Sequence, residues 1–344
     1  MTREHQLEDE ARRLLTSWLD NPRFRVTSKA KGGPDFEVDL GKTRLLVEVK
    51  AIFNAASVGA AAKQMKAYAT AMGHHAIPVV ATLFMGEAGR RLCADAGVCW
   101  FDLSGNADIV APGLRILIEG KPNKFVRRGR PSSAFAPKSA RIARHLLIEP
   151  RRWFRQQELA REVGLDDGFT SKIVRRLEHD ALIERDRVGA IRVRDPDLML
   201  DAWAEIYSFE KHSIVRGHVT ARSSEDLLRR LAKVFQRNKL RHAATGLAAA
   251  WLQTAFAGFR IVTLFVVSKP DALLLKEAGF REEPEGANAW LVVPNEEGVF
   301  DGSKEVEGIA CVHPVQTYVD LLGHPERARE AATELRSRLL KWRS

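Results

Sequence analysis

Cysteine is scarce in this chain of 344 residues, which contains only Cys93, Cys99 and Cys311. Three cysteines cannot form the paired framework of a small secreted disulfide protein, and none of them has the CxxC spacing of a zinc or redox site. We therefore expect small, buried thiols in a reducing compartment.

Long apolar runs are also missing. The longest, at 76–83 and 261–267, are much shorter than the ~20 residues that a membrane-spanning helix needs. The first residues, MTREHQLEDEARRLL, are charged and lack the apolar core of a secretion signal. These absences predict a cytoplasmic protein with no membrane partner.

Acidic residues are outnumbered, with 44 aspartates and glutamates against 54 lysines and arginines, so the formal net charge is +10. Residues 1–120 have 15 basic and 14 acidic side chains, residues 121–194 have 19 and 9, and residues 195–344 have 20 and 21. Because the whole excess lies in the middle segment, we expect that segment to supply most of the affinity for DNA, and residues 1–120 to bind DNA poorly by themselves.

Changes in hydrophobic periodicity divide the chain into four parts. Strand-like runs alternate with helical ones in residues 1–120, and residues 121–138 form a basic linker rich in proline and serine. Residues 139–195 contain three short helices followed by a hairpin, and residues 196–344 return to a mixture of helices and strands. The predicted fold class is α/β (α+β), in a multidomain chain.

The segment GGPDFEVDLGKTRLLVEVK contains a hairpin with carboxylates on one face. If Gly41 and Lys42 form a two-residue turn, paired residues have numbers that sum to 83, and Asp35 lies opposite Glu48. Period-two alternation puts Lys50 on the same face and the apolar residues on the other, towards the core. Two carboxylates ~5 Å apart repel unless a cation lies between them, so this face is a candidate Mg²⁺ or Mn²⁺ site with Asp35 and Glu48 as ligands. The alternative is a strand face whose charges are merely solvated.

With these residues in place, the segment 4–118 resembles the PD-(D/E)XK nucleases, which have the restriction-endonuclease-like fold. Pro34-Asp35 and Glu48-x-Lys50 match the motif, and Gln64 and Tyr68 resemble the QxxxY motif of RecB-type members. The resemblance implies that Asp35 and Glu48 bind magnesium, that Lys50 is the catalytic lysine, and that Gln64 and Tyr68 assist. It also implies an acidic residue from the first helix, for which Glu10 is preferred over Glu8. The family includes inactive descendants.

Residues 139–195 have the order of a winged helix-turn-helix: helix, turn, helix, then a two-stranded wing. The third helix is predicted at 169–179. Polar residues near its start are placed to contact base edges, while lysine and arginine further along and in the wing are placed to contact phosphates of double-stranded DNA. The predicted contact residues are Thr170, Ser171, Lys172, Arg175, Arg176 and Arg187. A solvated helix face or a protein-binding winged helix is the alternative.

The linker contains Arg128-Gly129-Arg130-Pro131, which resembles the core of an AT-hook. Such a core inserts Arg128 and Arg130 into a narrow minor groove. A plain basic tether is the other interpretation, and either one adds attraction to phosphate.

Two stretches near the end of the chain, HAATGLAAAW at 242–251 and VQTYVDL followed by ERAREAA at 315–332, resemble the AbiEi antitoxins of type IV toxin-antitoxin systems. With the winged helix before it, this resemblance extends over about residues 138–344. It implies a cytoplasmic repressor of its own operon that counteracts a nucleotidyltransferase toxin. Such antitoxins need no nuclease domain, so residues 1–120 depart from the family.

Two functions follow from these patterns. The first is a Mg²⁺-dependent DNA nuclease whose N-terminal domain hydrolyses phosphodiester bonds while the winged helix holds the duplex. The second is a transcriptional repressor or antitoxin that keeps a nuclease-like domain without catalysis. A palindromic operator would favour a homodimer in either case.

Overall fold

The computed structural model describes residues 3–19, 23–26, 33–51, 55–73, 75–125, 134–180, 182–256 and 258–342. The chain divides into two compact units, Met1–Arg130 and Pro131–Ser344. Both units mix helices with sheets, so the predicted α+β multidomain class is confirmed. No helix in these ranges is long and apolar enough to cross a membrane.

The first unit is built on one seven-stranded sheet with strands in chain order. Its first three strands and its last three are antiparallel, while β3, β4 and β5 run parallel because helices connect them. The elements are α1 (Arg3–Trp18), β1 (Arg23–Val26), β2 (Phe36–Asp39), β3 (Arg44–Lys50), α2 (Ala55–Met72), β4 (Ala76–Thr82), α3 (Glu87–Ala96), β5 (Cys99–Asp102), β6 (Ala107–Ala111) and β7 (Leu114–Ile118).

Both faces of this sheet are buried. Phe36 and Val47 belong to the hydrophobic cluster that includes α1, whereas Leu46 packs with Val58 and Met65 of α2. The apolar residues of the hairpin therefore do not all lie on one face, because Leu46 is buried on the same face as Glu48. Since β3 is a central strand connected to β4 by a helix, both of its faces are covered, as in other parallel arrangements.

The second unit begins with the predicted winged helix. Its three helices are α4 (Ala140–Ile148), α5 (Gln156–Glu162) and α6 (Asp167–His179), and its wing consists of β8 (Ile183–Arg185) and β9 (Ile191–Val193). Phe154 forms an additional bridge to Ile191 beside the wing. Helix α6 begins two residues before the predicted start because Asp166 caps it, accepting a hydrogen bond of 2.7 Å from the Phe169 N–H.

A second seven-stranded sheet follows, in the order β13-β10-β14-β12-β11-β16-β15. Alternate residues of its central strands belong to different hydrophobic clusters, Ala244 and Leu264 on one face, Ala243 and Phe265 on the other. The elements are α7 (Pro196–Ala204), β10 (Ser213–Val219), α8 (Ser224–Arg237), β11 (His242–Thr245), α9 (Gly246–Thr254), β12 (Val262–Val266), α10 (Ala272–Ala278), β13 (Phe280–Glu282), β14 (Ala289–Val293), β15 (Lys304–Val306), β16 (Ile309–Cys311), α11 (Pro314–Leu322) and α12 (Ala328–Leu339).

The winged helix and this second α/β region form one compact unit. One hydrophobic cluster extends from Ala134 through the winged helix to Leu340. The buried Arg144 of α4 donates to Gln316 of α11 at 3.0 Å and pairs with Glu296 at 3.4 Å. The segments 139–195 and 196–344 therefore share a core and a buried ion pair, and the predicted domain boundary between them remains a prediction.

We predict that Arg144→Leu lowers the free energy of unfolding of this unit by about 3 kcal/mol, because it removes the hydrogen bond to the buried Gln316 and one of the two arginines, Arg144 and Arg141, that pair with the buried Glu296. Urea unfolding at pH 7 measures this. The matched control is Arg229→Leu, whose exposed pair with Glu307 at 2.7 Å should be worth about 1 kcal/mol or less. Equal losses in the two variants would contradict the account.

Candidate functional site

The third helix of the winged helix, α6, separates into a buried and an exposed stripe. Ile173, Val174 and Leu177 are buried against the unit's core. Thr170, predicted to read bases, is also completely buried, because it lies one turn before Val174 on the inner stripe. Thr170 therefore cannot reach a DNA groove from this position, and we remove it from the candidate contacts.

The outer stripe of α6 is basic. Lys172, Arg175 and Arg176 are exposed, and Ser171 is half-buried beside them. The charges differ in how they are compensated: Arg176 pairs with Asp180 at 2.9 Å, whereas the Arg175 Nε donates only to the Ser171 carbonyl at 3.4 Å. In the described part of the chain, neither Lys172 nor Arg175 has a carboxylate partner.

The wing ends in a tight turn that presents Arg187. Asp186 accepts hydrogen bonds from the N–H groups of Val188 and Ala190, and Gly189 has a φ of +87°, a conformation that favours glycine. Arg187 and Val188 project from this turn, Val188 being 86% exposed. The tip thus carries an exposed cation whose backbone is held by Asp186.

The arginines of the wing strands are less available for contact with phosphate than the sequence indicates. Arg185 forms a bidentate pair with Glu178 of α6, and Arg192 pairs with Glu184 at 2.6 Å. These pairs leave Lys172, Arg175 and Arg187 as the main uncompensated cations of this face. Arg128 and Arg130, the predicted AT-hook residues, lie outside the described residues.

The predicted carboxylate hairpin is present in the first unit. Strands β2 and β3 pair with residue numbers that sum to 83, and Gly41 in the turn has a φ of +85°. Asp35 immediately precedes β2, and its backbone N–H donates to the Val47 carbonyl at 2.9 Å. The predicted register is therefore confirmed, and it puts Asp35 beside the Glu48 segment of β3.

The two carboxylates of this hairpin are held in different ways. One Asp35 oxygen, Oδ2, accepts a hydrogen bond of 2.8 Å from the Val49 N–H. Glu48 is only 5% exposed, and its Oε1 contacts the Lys50 Nζ at 2.5 Å. Asp35 and Glu48 are therefore neighbours in the register of the hairpin, and Lys50 is paired with Glu48. Two oxygen donors of this type suit a hard divalent cation.

The other residues expected in this group are spread over two helices. On α2, Gln64 is exposed and Tyr68 is half-buried. Helix α2 covers the face of the sheet that contains Leu46 and, by alternation along β2, the side chains of the odd-numbered residues of that strand. Glu10 is exposed on α1, which packs against the opposite face. Among the described residues, no hydrogen bond or ion pair connects Glu10 with Asp35 or Glu48, so its proposed role remains a prediction.

Asp102 closes the loop that follows β5. It is fully buried and accepts hydrogen bonds from the backbone and side chain of Asn106 and from the Met85 N–H. With its carboxylate saturated in this way, Asp102 has a structural role.

A buried polar network, which sequence reasoning missed, connects the two antitoxin-like stretches. Asp320 accepts hydrogen bonds from Thr245, Tyr207 and Gln316, and Gln316 in turn accepts one from Arg144. Burial raises the pKa of Asp320 to about 6. The only signal in the sequence was the polar spacing of Gln316 and Asp320, four residues apart on an otherwise apolar helix.

His212 extends this network. The Asn295 N–H donates to its Nδ1 at 3.1 Å, so the neutral ring has its proton on Nε2, which lies 2.8 Å from the Tyr207 hydroxyl. Burial, with a smaller contribution from the nearby Arg144 charge, lowers the pKa of His212 to about 4. Protonation of Nδ1 would break its hydrogen bond to Asn295.

Comparison with known proteins identifies this part of the chain. Residues 192–341 match a family model described as a transcriptional regulator, the AbiEi antitoxin of a type IV toxin-antitoxin system. The match begins in β9, and so includes the region of the buried network but not α4, α5 or α6. No curated protein and no solved structure shows significant similarity to the chain. Residues 192–341 of the second unit are thus similar to the AbiEi antitoxins.

Protonation of His212 should destabilise this unit in acid, whereas Asp320, whose pKa is raised, favours the folded state over the same pH range. Burial lowers the pKa of His212 from its ordinary 6.5 to about 4, so at this residue the unfolded chain binds more protons, and its contribution to stability falls as the pH drops through that window. The shift corresponds to about 3 kcal/mol. Urea unfolding between pH 7 and 4 should show a smaller loss for His212→Gln than for the native chain. The exposed His179→Gln is the control; a native-like slope in His212→Gln would refute the assignment.

Proposed function

We propose that the protein is a DNA-binding transcriptional regulator of the type IV antitoxin kind, acting on its own operon. The strongest support is that one compact unit contains both a winged helix and a region that matches the AbiEi family model. The exposed Lys172, Arg175 and Arg187 lie on the two elements of that winged helix that approach DNA.

In this proposal α6 enters the major groove of double-stranded DNA. Ser171 near its start faces base edges, while Lys172, Arg175, Arg176 and the wing residue Arg187 contact phosphates. Arg128 and Arg130 would add minor-groove or phosphate contacts from the segment before the winged helix. Since most of these contacts neutralise phosphate, binding would weaken steeply with salt.

The partner proposed from the family is a nucleotidyltransferase toxin encoded in the same operon. A regulator of this kind that recognises a palindromic operator would bind as a homodimer. Toxin binding and dimer formation are both part of the proposal, and neither depends on the DNA contacts of α6.

We predict that Lys172→Ala/Arg175→Ala lowers the affinity for the DNA upstream of the protein's own gene. Loss of two phosphate contacts should reduce the slope of log K against log [salt] by about 2, because each neutralised phosphate releases about 0.9 counterion. Fluorescence anisotropy at several salt concentrations measures both quantities.

The matched control is Lys233→Ala/Lys276→Ala, which removes two exposed lysines from α8 and α10 of the same unit. Its affinity and salt slope should stay close to native. An equal loss in both variants would mean that net charge, and not the α6 surface, governs DNA binding.

A second candidate function is hydrolysis of DNA phosphodiester bonds by the first unit. The observation that favours it is the group of Asp35, Glu48 and Lys50 on neighbouring strands, with Lys50 at 2.5 Å from Glu48. The donor set fits Mg²⁺ or Mn²⁺: Asp35 and Glu48 would hold the ion, which would supply charge neutralisation and an activated water. Lys50 would stabilise negative charge on the phosphate, and Gln64, Tyr68 and Glu10 would position the substrate.

If this site is active, native protein with Mg²⁺ or Mn²⁺ should nick plasmid DNA, and Lys50→Ala should be about 100-fold slower, the usual cost of removing one stabilising charge. Gel analysis of supercoiled and linear DNA measures the rates. Lys63→Ala, an exposed lysine of α2, is the control and should retain native activity. Intact DNA with native protein on every substrate would reject the nuclease and leave the regulator proposal untouched.

A further inference from the structure

A small basic groove lies in the second unit, between the end of α4, the last wing strand β9 and the chain after α12. It encloses about 280 Å³. Its lining residues are Pro150, Arg151, Arg192, Val193, Arg194, Pro196, Lys341 and Trp342. Neither DNA recognition by α6 nor the buried network uses this groove.

The charge of the groove is of one sign. Four of its eight lining residues are lysine or arginine, and none is acidic. Arg194 and Lys341 are exposed, and neither has an ion pair in the described ranges. Like charges gathered around one concave surface raise its positive potential and attract an anion.

One cation of the groove is held in place. Arg192 pairs with Glu184 at 2.6 Å, and its guanidinium lies 4.4 Å from the centre of the Trp153 ring. Since Glu184 already compensates Arg192, the charges open to an oxyanion are those of Arg194 and Lys341, and arginine suits phosphate because its donors form a fork. Trp342, half-buried at the edge, adds an aromatic face on which a nucleobase can stack.

We propose that this groove binds the phosphate group of a nucleotide, with Arg194 and Lys341 contacting the phosphate and Trp342 the base. The volume of about 280 Å³ is at the lower end for small-ligand sites and suits one nucleotide unit. That unit can be a free mononucleotide or part of a nucleic acid, since both present the same phosphate chemistry.

Calorimetric titration of the full-length protein tests the proposal. The probes are the four ribonucleoside monophosphates, adenosine as the phosphate-free match to AMP, and a 12-base-pair duplex of unrelated sequence. Arg194→Glu/Lys341→Glu should weaken binding of at least one phosphate probe tenfold or more. Adenosine should bind at least tenfold more weakly than AMP if the free nucleotide is the ligand.

The matched control is Lys233→Glu/Lys276→Glu, with the same charge change at exposed sites of the same unit. It should stay within twofold of native for the affected probe. If the groove variant loses affinity only for the duplex, nucleic acid is the source of the phosphate. If it loses affinity for the monophosphates, the free nucleotide is the ligand. The proposal is overturned if the groove variant and the control bind every probe equally.

The Trp342→Ala variant distinguishes binding of a nucleotide from binding of a bare anion. It should weaken a monophosphate, or the duplex, more than it weakens inorganic phosphate, because only the base can stack on the indole. Equal effects on both would reject the role of the base. Circular dichroism of all variants verifies that they fold.

Discussion

The second unit depends on one buried charge. Arg144 lies on the first helix of the winged helix, yet its guanidinium pairs with Glu296 and donates to Gln316 inside the antitoxin-type domain. A buried arginine is tolerated only where partners satisfy it, so this helix can occupy only the position in which Glu296 and Gln316 are in reach. The winged helix is consequently held as part of the domain that follows it.

This constraint links the winged helix to the buried polar network. Gln316 also donates to Asp320, which accepts from Thr245 and Tyr207, so both antitoxin-like stretches contribute to the network that holds Arg144. A substitution at these residues would alter the packing of the first helix of the winged helix through direct contacts. Lys172, Arg175 and Arg187, which have no carboxylate partner among the described residues, remain exposed for DNA.

Local patterns predicted much of this from sequence. The turn at Gly41 and strict alternation set the register of Asp35 and Glu48, and helix-turn-helix spacing placed α6 to within two residues. Burial of Thr170 and of Glu48 was not predictable, because it depends on which elements cover a given face. Strands β10 and β11 could not be predicted either, because they pair with segments far along the chain, β14 and β16, and their own sequences have little alternation.

The central claim, that the winged helix and the antitoxin-type domain together form a sequence-specific regulator, is tested most directly by DNase footprinting of the full-length protein on the DNA upstream of its own gene. The account predicts a discrete protected site that persists with excess unrelated DNA and, for a dimer, contains two half-sites about one helical turn apart. Uniform weak protection along the whole fragment, abolished by unrelated DNA, would contradict it.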